Sequence, residues 1–377
     1  MGLESETEPS TRHLPDHYEK ASMALALQAP ITGHQLLDTA TDTDKAQYWS
    51  GDARVGVDGA LHVHSKRTER LRKKQQKRQK KPLIEARGIL DLPYELILDV
   101  FALLRPSDLF RLSRVNRSLH DFIFKQEATL ASNIVKWRYP CLEQCLRLPV
   151  PLTEVDVLMC GILQLDQRQE IMTIHKKPYQ HIQSPDPAFI CTCLTCLLRW
   201  NSLCLAVDFA HWQGNLDKGE PIPIIPRGRS PAWNQRLVAA HANVVIKALS
   251  SPLMHATILE AHLKSTTNSI RRHRENKGNK RRRFRMTQED LVSGTDAFLQ
   301  RSGPPTTDFP FHRDNYYMLE AYLPNRGWNG EEGRWAYMPA DQHQTDLGYV
   351  MRWAAWKFGE NIPLLEDINI GVQKVHM

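Results

Sequence analysis

From Leu83 onward apolar residues recur along the chain at helical spacing, whereas the first 82 residues show no sustained apolar period. The sharpest pattern lies in Gly88–Phe124, GILDLPYELILDVFALLRPSDLFRLSRVNRSLHDFIF. Here Leu92, Leu96, Ile97, Val100, Phe101, Leu103 and Leu104 cover two adjoining stripes of one helix, where a lone surface helix needs a single stripe. Pro93 suits the first turn, and Glu95 complements the positive end of the helix dipole. Arg105-Pro106 stops this helix. Ser107 is the expected cap of a short second helix, with Asp108 in its first turn and Leu109, Phe110 and Leu112 on its apolar face. Asn116 is the expected cap of a third helix carrying Leu119, Phe122 and Ile123, and a fourth is expected over Glu127–Trp137.

Three such helices fall below the size at which a domain usually folds alone, so their apolar surplus predicts a second polypeptide that covers it. After Trp137 the prolines of YPCLEQCLRLPVPL predict a hinge-like connection, and helical patterning returns in Gln235–Lys247, Leu253–Lys264 and Asp346–Phe358. No period of the leucine-rich, propeller or kelch kind is present. The expected fold is mainly α. A disordered tail over 1–82, basic at its end, precedes a three-helix module at 87–137 and an α-rich or α+β region at 141–377 of unknown fold.

The module resembles the F-box family. The family pattern is met by Leu92-Pro93, Glu95-Leu96, Val100-Phe101, Leu104, Asp108-Leu109, Leu112 and Val115, while a frequent Cys is here Asn116 and a frequent Trp is Leu119. The resemblance is confined to this stretch. It implies that these positions dock onto the Skp-type linker of an SCF cullin-RING ubiquitin ligase, that residues 141–377 present a protein substrate of unknown identity, and that the chain itself is not an enzyme. The competing reading is a nuclear nucleic-acid-binding or scaffold protein that uses its basic runs and keeps the helical module for internal packing.

Charge bears on that alternative. The formal net charge is +7, yet Lys66–Lys81 holds ten Lys or Arg against one Glu and Arg271–Arg285 holds nine against one, so the remainder is net acidic. Two basic islands on an acidic body differ from a basic binding face, and nucleic acid is not the expected partner. Within the first island Arg72, Lys73, Lys74, Lys77, Arg78, Lys80 and Lys81 fit a nuclear import signal or a solvated tail, consistent with a protein of the nucleus and/or cytoplasm. For the second, an inert exposed loop is preferred over an RNA-contacting strip with Phe284 as a stacking residue, or a dock for acidic groups.

The polar start MGLESETEPSTRH lacks the apolar centre of a signal peptide, and the apolar window Phe189–Ala210 is interrupted by Arg199, Asn201 and Asp208, so protein interior is expected there and no membrane partner. Seven cysteines in such a chain predict reduced thiols. Cys191, Cys193 and Cys196, with Cys204 eight residues on and His181 and His211 flanking, offer a zinc ligand set. The overlap of CxC and CxxC inside an apolar stretch is unlike a repeated zinc-finger CxxC, so buried thiols are the preferred reading, zinc the alternative, and no other cofactor is expected.

Catalytic motifs find little support. His312-Arg313-Asp314 lacks the Asn that a kinase catalytic loop requires five residues on, where Leu319 stands, and neither a Gly-x-Ser-x-Gly elbow nor a Walker loop occurs. The segment Pro221–Pro231 is expected to pack through its isoleucines rather than serve as a polyproline ligand. The aromatic-rich span Phe309–Phe358 is expected mostly to fill a core.

Overall fold

The computed structural model describes residues 66–67, 69–70, 73–74, 89–174, 180–226, 228–275, 286–301, 310, 312–324, 326–337 and 342–359. Two compact units divide the chain, the smaller ending at Ile97 inside the first long helix and the larger running on from Leu98.

In the smaller unit a 3-10 turn, Ile89–Asp91, leads into helix α1 (Tyr94–Ala102). The Pro93 carbonyl accepts the Ile97 N–H at 3.1 Å, so this proline precedes the helix instead of occupying its first turn. Lys66, Arg67, Glu69, Arg70, Lys73 and Lys74 are helical and exposed, with Lys73 Nζ 3.3 Å from Glu69. At these positions strong helix formers and an i,i+4 ion pair favour a local helical turn. Arg72, Lys77, Arg78, Lys80 and Lys81, like the rest of 1–82, lie outside the described residues.

The larger unit is built from helices. They are α2 (Pro106–Ser113), α3 (Arg117–Lys125), α4 (Glu127–Arg138), α5 (Pro140–Cys145), α6 (Val157–Gln164), α7 (Asp166–Ile174) and α8 (Leu194–His211). After these come α9 (Gln213–Lys218), α10 (Ala232–Ser250), α11 (Pro252–Glu275), α12 (Gln288–Ser293), α13 (Ala297–Arg301) and α14 (His343–Phe358). One antiparallel hairpin, β1 (Arg326–Asn329) with β2 (Arg334–Tyr337), pairs Trp328 with Trp335. The architecture is therefore mainly α, as the periodicity predicts.

The long α11 is the pillar, packed against α2, α4, α8 and α10. Leu253, Ala256, Leu259 and Leu263 supply its buried stripe, while buried Ser265, Thr266 and Ser269 keep its later turns slim. Thr266 and Thr257 return their hydroxyl protons to carbonyls one turn back, which removes the cost of burying them. Part of the apolar surplus of the first helices is thus covered by the chain itself, not by a partner. The second helix begins at Pro106, with Arg105 in the capping position; Ser107, the expected cap, instead binds Glu260 of α11. Asn116 does cap α3, accepting the Leu119 N–H at 2.8 Å.

Residues on both sides of Pro140 belong to the same unit. Proline at the first position of a helix costs no hydrogen bond, so Pro140 starts α5 where a break was expected. The Asp296 carboxylate accepts the N–H groups of Cys141 and Leu142 at 2.9 and 2.7 Å and so closes the chain onto the start of α5. Burial pushes this acid up to about 7 despite those bonds. Gly294 sits at φ 61° beside Arg138, whose Nη1 would lie 3.3 Å from an added Cβ. Arg138 there donates to the Ser293 and Gly294 carbonyls and, at 2.5 Å, to the Leu103 carbonyl beyond α1. No helix among the described residues is long and apolar enough to cross a membrane.

Candidate functional site

On α1 the apolar side chains of Leu96 (50% exposed) and Val100 (40%) stand one turn apart on the same helix face, and Leu103 (61%), in the turn that follows the helix, is exposed as well. Of the other positions expected to meet a partner, Leu92, Pro93, Glu95 and Val115 are exposed, and Leu104, Asp108 and Leu112 are half-buried. Phe101 and Leu109 are fully buried. Both differ from the exposed contact residues expected: Phe101 packs edge-on against Phe122 with centroids 5.6 Å apart and so holds the helices together. Tyr94 and Leu103, which the family pattern does not single out, are exposed instead.

A second site lies where α8 begins. The segment around Pro151 pairs with the one around Ile190: Leu152 N–H donates to the Phe189 carbonyl at 2.9 Å and Cys191 N–H to that of Val150 at 3.0 Å. This pairing fixes Cys191. Cys193 caps α8, its sulfur accepting the Cys196 N–H at 3.4 Å, and Cys196 Sγ accepts the Val150 N–H at 3.4 Å. From the first turn of α14, His343 Nδ1 reaches within 3.3 Å of Cys193 Sγ and 3.4 Å of Cys196 Sγ. The four ligand atoms of Cys191, Cys193, Cys196 and His343 lie within 4.8 Å of one another and can hold a metal ion.

Hydrogen bonds from Cys193 and Cys196 draw the Cys191 thiol down to about 4, while the bonds that the other two thiols make within the cluster push Cys193 and Cys196 up. Arg168 is anchored by its bond to the Thr192 carbonyl at 2.7 Å. One turn after His343, Asp346 accepts both the N–H and the hydroxyl of Thr195 at 2.6 Å, tying α14 to the same helix start.

Cys204 is not part of this group. Eight residues beyond Cys196 on α8 it stands about 12 Å further along the axis, and burial pushes its thiol up. Nor do the flanking histidines join. His181 lies edge-on to Tyr316, and His211 beside His241, around the buried Asp208. No disulfide joins any of the seven cysteines.

Asp208 is the centre of a third, fully buried cluster. It accepts from Arg313 Nε at 2.8 Å and Nη2 at 3.1 Å, from the Tyr316 hydroxyl at 2.8 Å and from Trp212 Nε1 at 3.1 Å. Burial alone would raise this acid, but Arg313 and His241 hold it well below the carboxylate range. The kinase-like His-Arg-Asp triplet is thereby accounted for, since Arg313 is a structural partner. Beside it a cavity of about 60 Å³ is lined by His181, Ile222, Ile225 and His312 among others.

The remaining candidates are mixed. In the second basic run Arg272 is part-buried, donating to the Leu216 carbonyl at 2.6 Å, while Phe284 and residues 276–285 lie outside the described residues. Ile222 is buried as expected, but Ile224 is exposed. Among the aromatics Tyr316 and Tyr322 fill the core, whereas Trp328, Tyr349 and Trp356 face outward.

A family model described as F-box-like matches residues 89–142, the stretch from the 3-10 turn before α1 to the middle of α5. Those residues form an F-box-like domain, a protein–protein interaction module. No curated protein and no solved structure matches the chain.

Proposed function

We propose that the F-box-like domain at 89–142 docks the chain onto a Skp-type linker of a cullin-RING ubiquitin ligase, and that the helical region beyond it presents a protein substrate for ubiquitination. The observation that carries this reading is the exposure of the apolar Leu96 and Val100, one turn apart on α1, and of Leu103 just after it, within the matched domain. Each such side chain contributes about 1.5 to 3 kcal/mol when fully buried, before the entropy of association offsets much of it. In this reading the chain is an adaptor and the transfer chemistry belongs to the ligase. It works in the nucleus and/or cytoplasm, with Arg72–Lys81 as an address for import.

The test is affinity purification with identification of partners by mass spectrometry. Linker and cullin subunits are expected with the intact chain and not with a Leu96→Asp, Val100→Asp variant; recovery of the same subunits with both would refute the reading.

A further inference from the structure

We infer that Cys191, Cys193, Cys196 and His343 form a closed structural zinc centre that clips the last described helix, α14, to the start of α8. The geometry comes first. Four ligands around a tetrahedral zinc, at about 2.3 Å for sulfur and about 2.0–2.1 Å for nitrogen, stand roughly 3.5–3.8 Å apart. The observed Nδ1 to sulfur separations of 3.3 and 3.4 Å approach that spacing, and the whole set fits within 4.8 Å, so small side-chain adjustments complete a tetrahedron.

The donors select the metal. Three soft sulfurs and an imidazole favour zinc over magnesium or calcium, which take oxygen ligands. Four protein ligands leave no open position for water or substrate, which is the structural and not the catalytic arrangement. As the ion enters, the thiols release their protons to solvent and the centre becomes net −1. That charge is met locally: Arg168 lies close by, the N-terminus of the 18-residue α8 faces it, and the backbone N–H groups of Val150 and Cys196 already point at sulfur.

Position gives the role. His343 comes 147 residues after Cys196, so the ion closes a long loop of chain. Leu347, Val350 and Ala354 of α14 share a core with Met159, Ile162 and Leu163 of α6 and with the three cysteines. Loss of the ion frees the first turn of α14 and exposes that core.

The experiment is metal analysis of the purified full chain, with limited trypsin digestion before and after chelation. About one zinc ion per chain is expected, lost from Cys196→Ser and His343→Ala and kept in Cys204→Ser. Chelation is expected to speed cleavage after Arg352 and Lys357 at least several-fold, and zinc to restore protection. If the substituted chains fail to fold, cobalt replacement in the unsubstituted chain decides: a tetrahedral thiolate spectrum supports the centre. A folded chain that neither carries nor takes up zinc, zinc retained by His343→Ala but lost by Cys204→Ser, or an octahedral cobalt spectrum would overturn it.

Discussion

Glu260, near the middle of α11, holds the first turn of α2 from 153 residues away: its Oε2 accepts the Ser107 N–H at 2.8 Å and its Oε1 the Ser107 hydroxyl at 2.7 Å. A side chain from the later part of the chain thus satisfies an orphan donor at a helix start within the F-box-like domain. Removing it leaves that donor poorly paired in a half-buried place. Glu260→Ala is expected to lower unfolding stability by about 1–3 kcal/mol. Glu260→Gln, which keeps one acceptor, should cost less. Urea denaturation of the two variants checks the order, and equal midpoints for Ala and wild type would exclude the capping role.

The same packing predicts that the F-box-like helices do not survive excision. Phe110, Leu130 and Ile134 are buried, and α2 and α4 lie against α11. A fragment ending at 142 would expose that contact surface. It is expected to lack a cooperative thermal transition when isolated, whereas the full chain shows one; a sharp transition in the fragment would contradict the account.

Asp208 and Arg313 form a buried ion pair with 2.8 Å between carboxylate and guanidinium. Breaking such a pair from one side leaves an uncompensated buried charge and costs about 3–5 kcal/mol. Arg313→Met and Asp208→Asn are each expected to be strongly destabilising. The double variant should be less damaged than the two losses added, because neither charge is then left alone. A double-mutant cycle by denaturation measures that coupling, and strict additivity would show the pair to be incidental.

Acid should loosen the fold through histidine. Burial drives His262 down to about 4, and it drives His181 and His241 to the same range. His262 Nε2 donates to the Tyr322 carbonyl at 2.6 Å, which places the proton of the neutral ring on that nitrogen, while burial keeps the ring neutral against the pull of this bond. The unfolded chain binds these histidine protons near pH 6.5 and the folded one only near 4, so the histidine contribution is fullest above about 6.5 and falls as pH drops through that interval, with Asp296, raised to about 7, opposing it in part. His262→Gln, which can still donate to the carbonyl, is expected to shallow the decline by about one proton's worth of slope. An unchanged slope in urea midpoints from pH 7 to 4.5 would rule out His262 as a contributor.

Local pattern was legible in the sequence, and long-range closure was not. The helices of the F-box-like stretch follow from apolar residues three and four apart, and the Asn116 cap from a polar side chain just ahead of such a run. The hairpin escaped because its signals, Asn329 and Gly333 between short aromatic runs, are weak at that length. Phe101 and Leu109 read as contact residues through the family pattern, and periodicity could not correct this, because it shows that a stripe is apolar and not which of two stripes faces inward. His343 had no signal at all: it is one of 16 histidines, and only folding brings it to Cys193. Cys204, by contrast, was near in sequence and is remote along the helix.

The central claim is that the stripe on α1 seats a linker subunit, and binding of the purified full chain to a purified Skp-type linker, followed by calorimetry, tests it most directly. The account predicts a one-to-one complex. It also predicts that Leu96→Ala and Val100→Ala each weaken the complex about 5-fold or more, since 1.4 kcal/mol is tenfold in affinity, while Trp356→Ala, at an exposed residue of α14 outside the F-box-like domain, leaves it unchanged. Absence of binding by the intact, folded chain, or affinity indifferent to Leu96 and Val100, would contradict it.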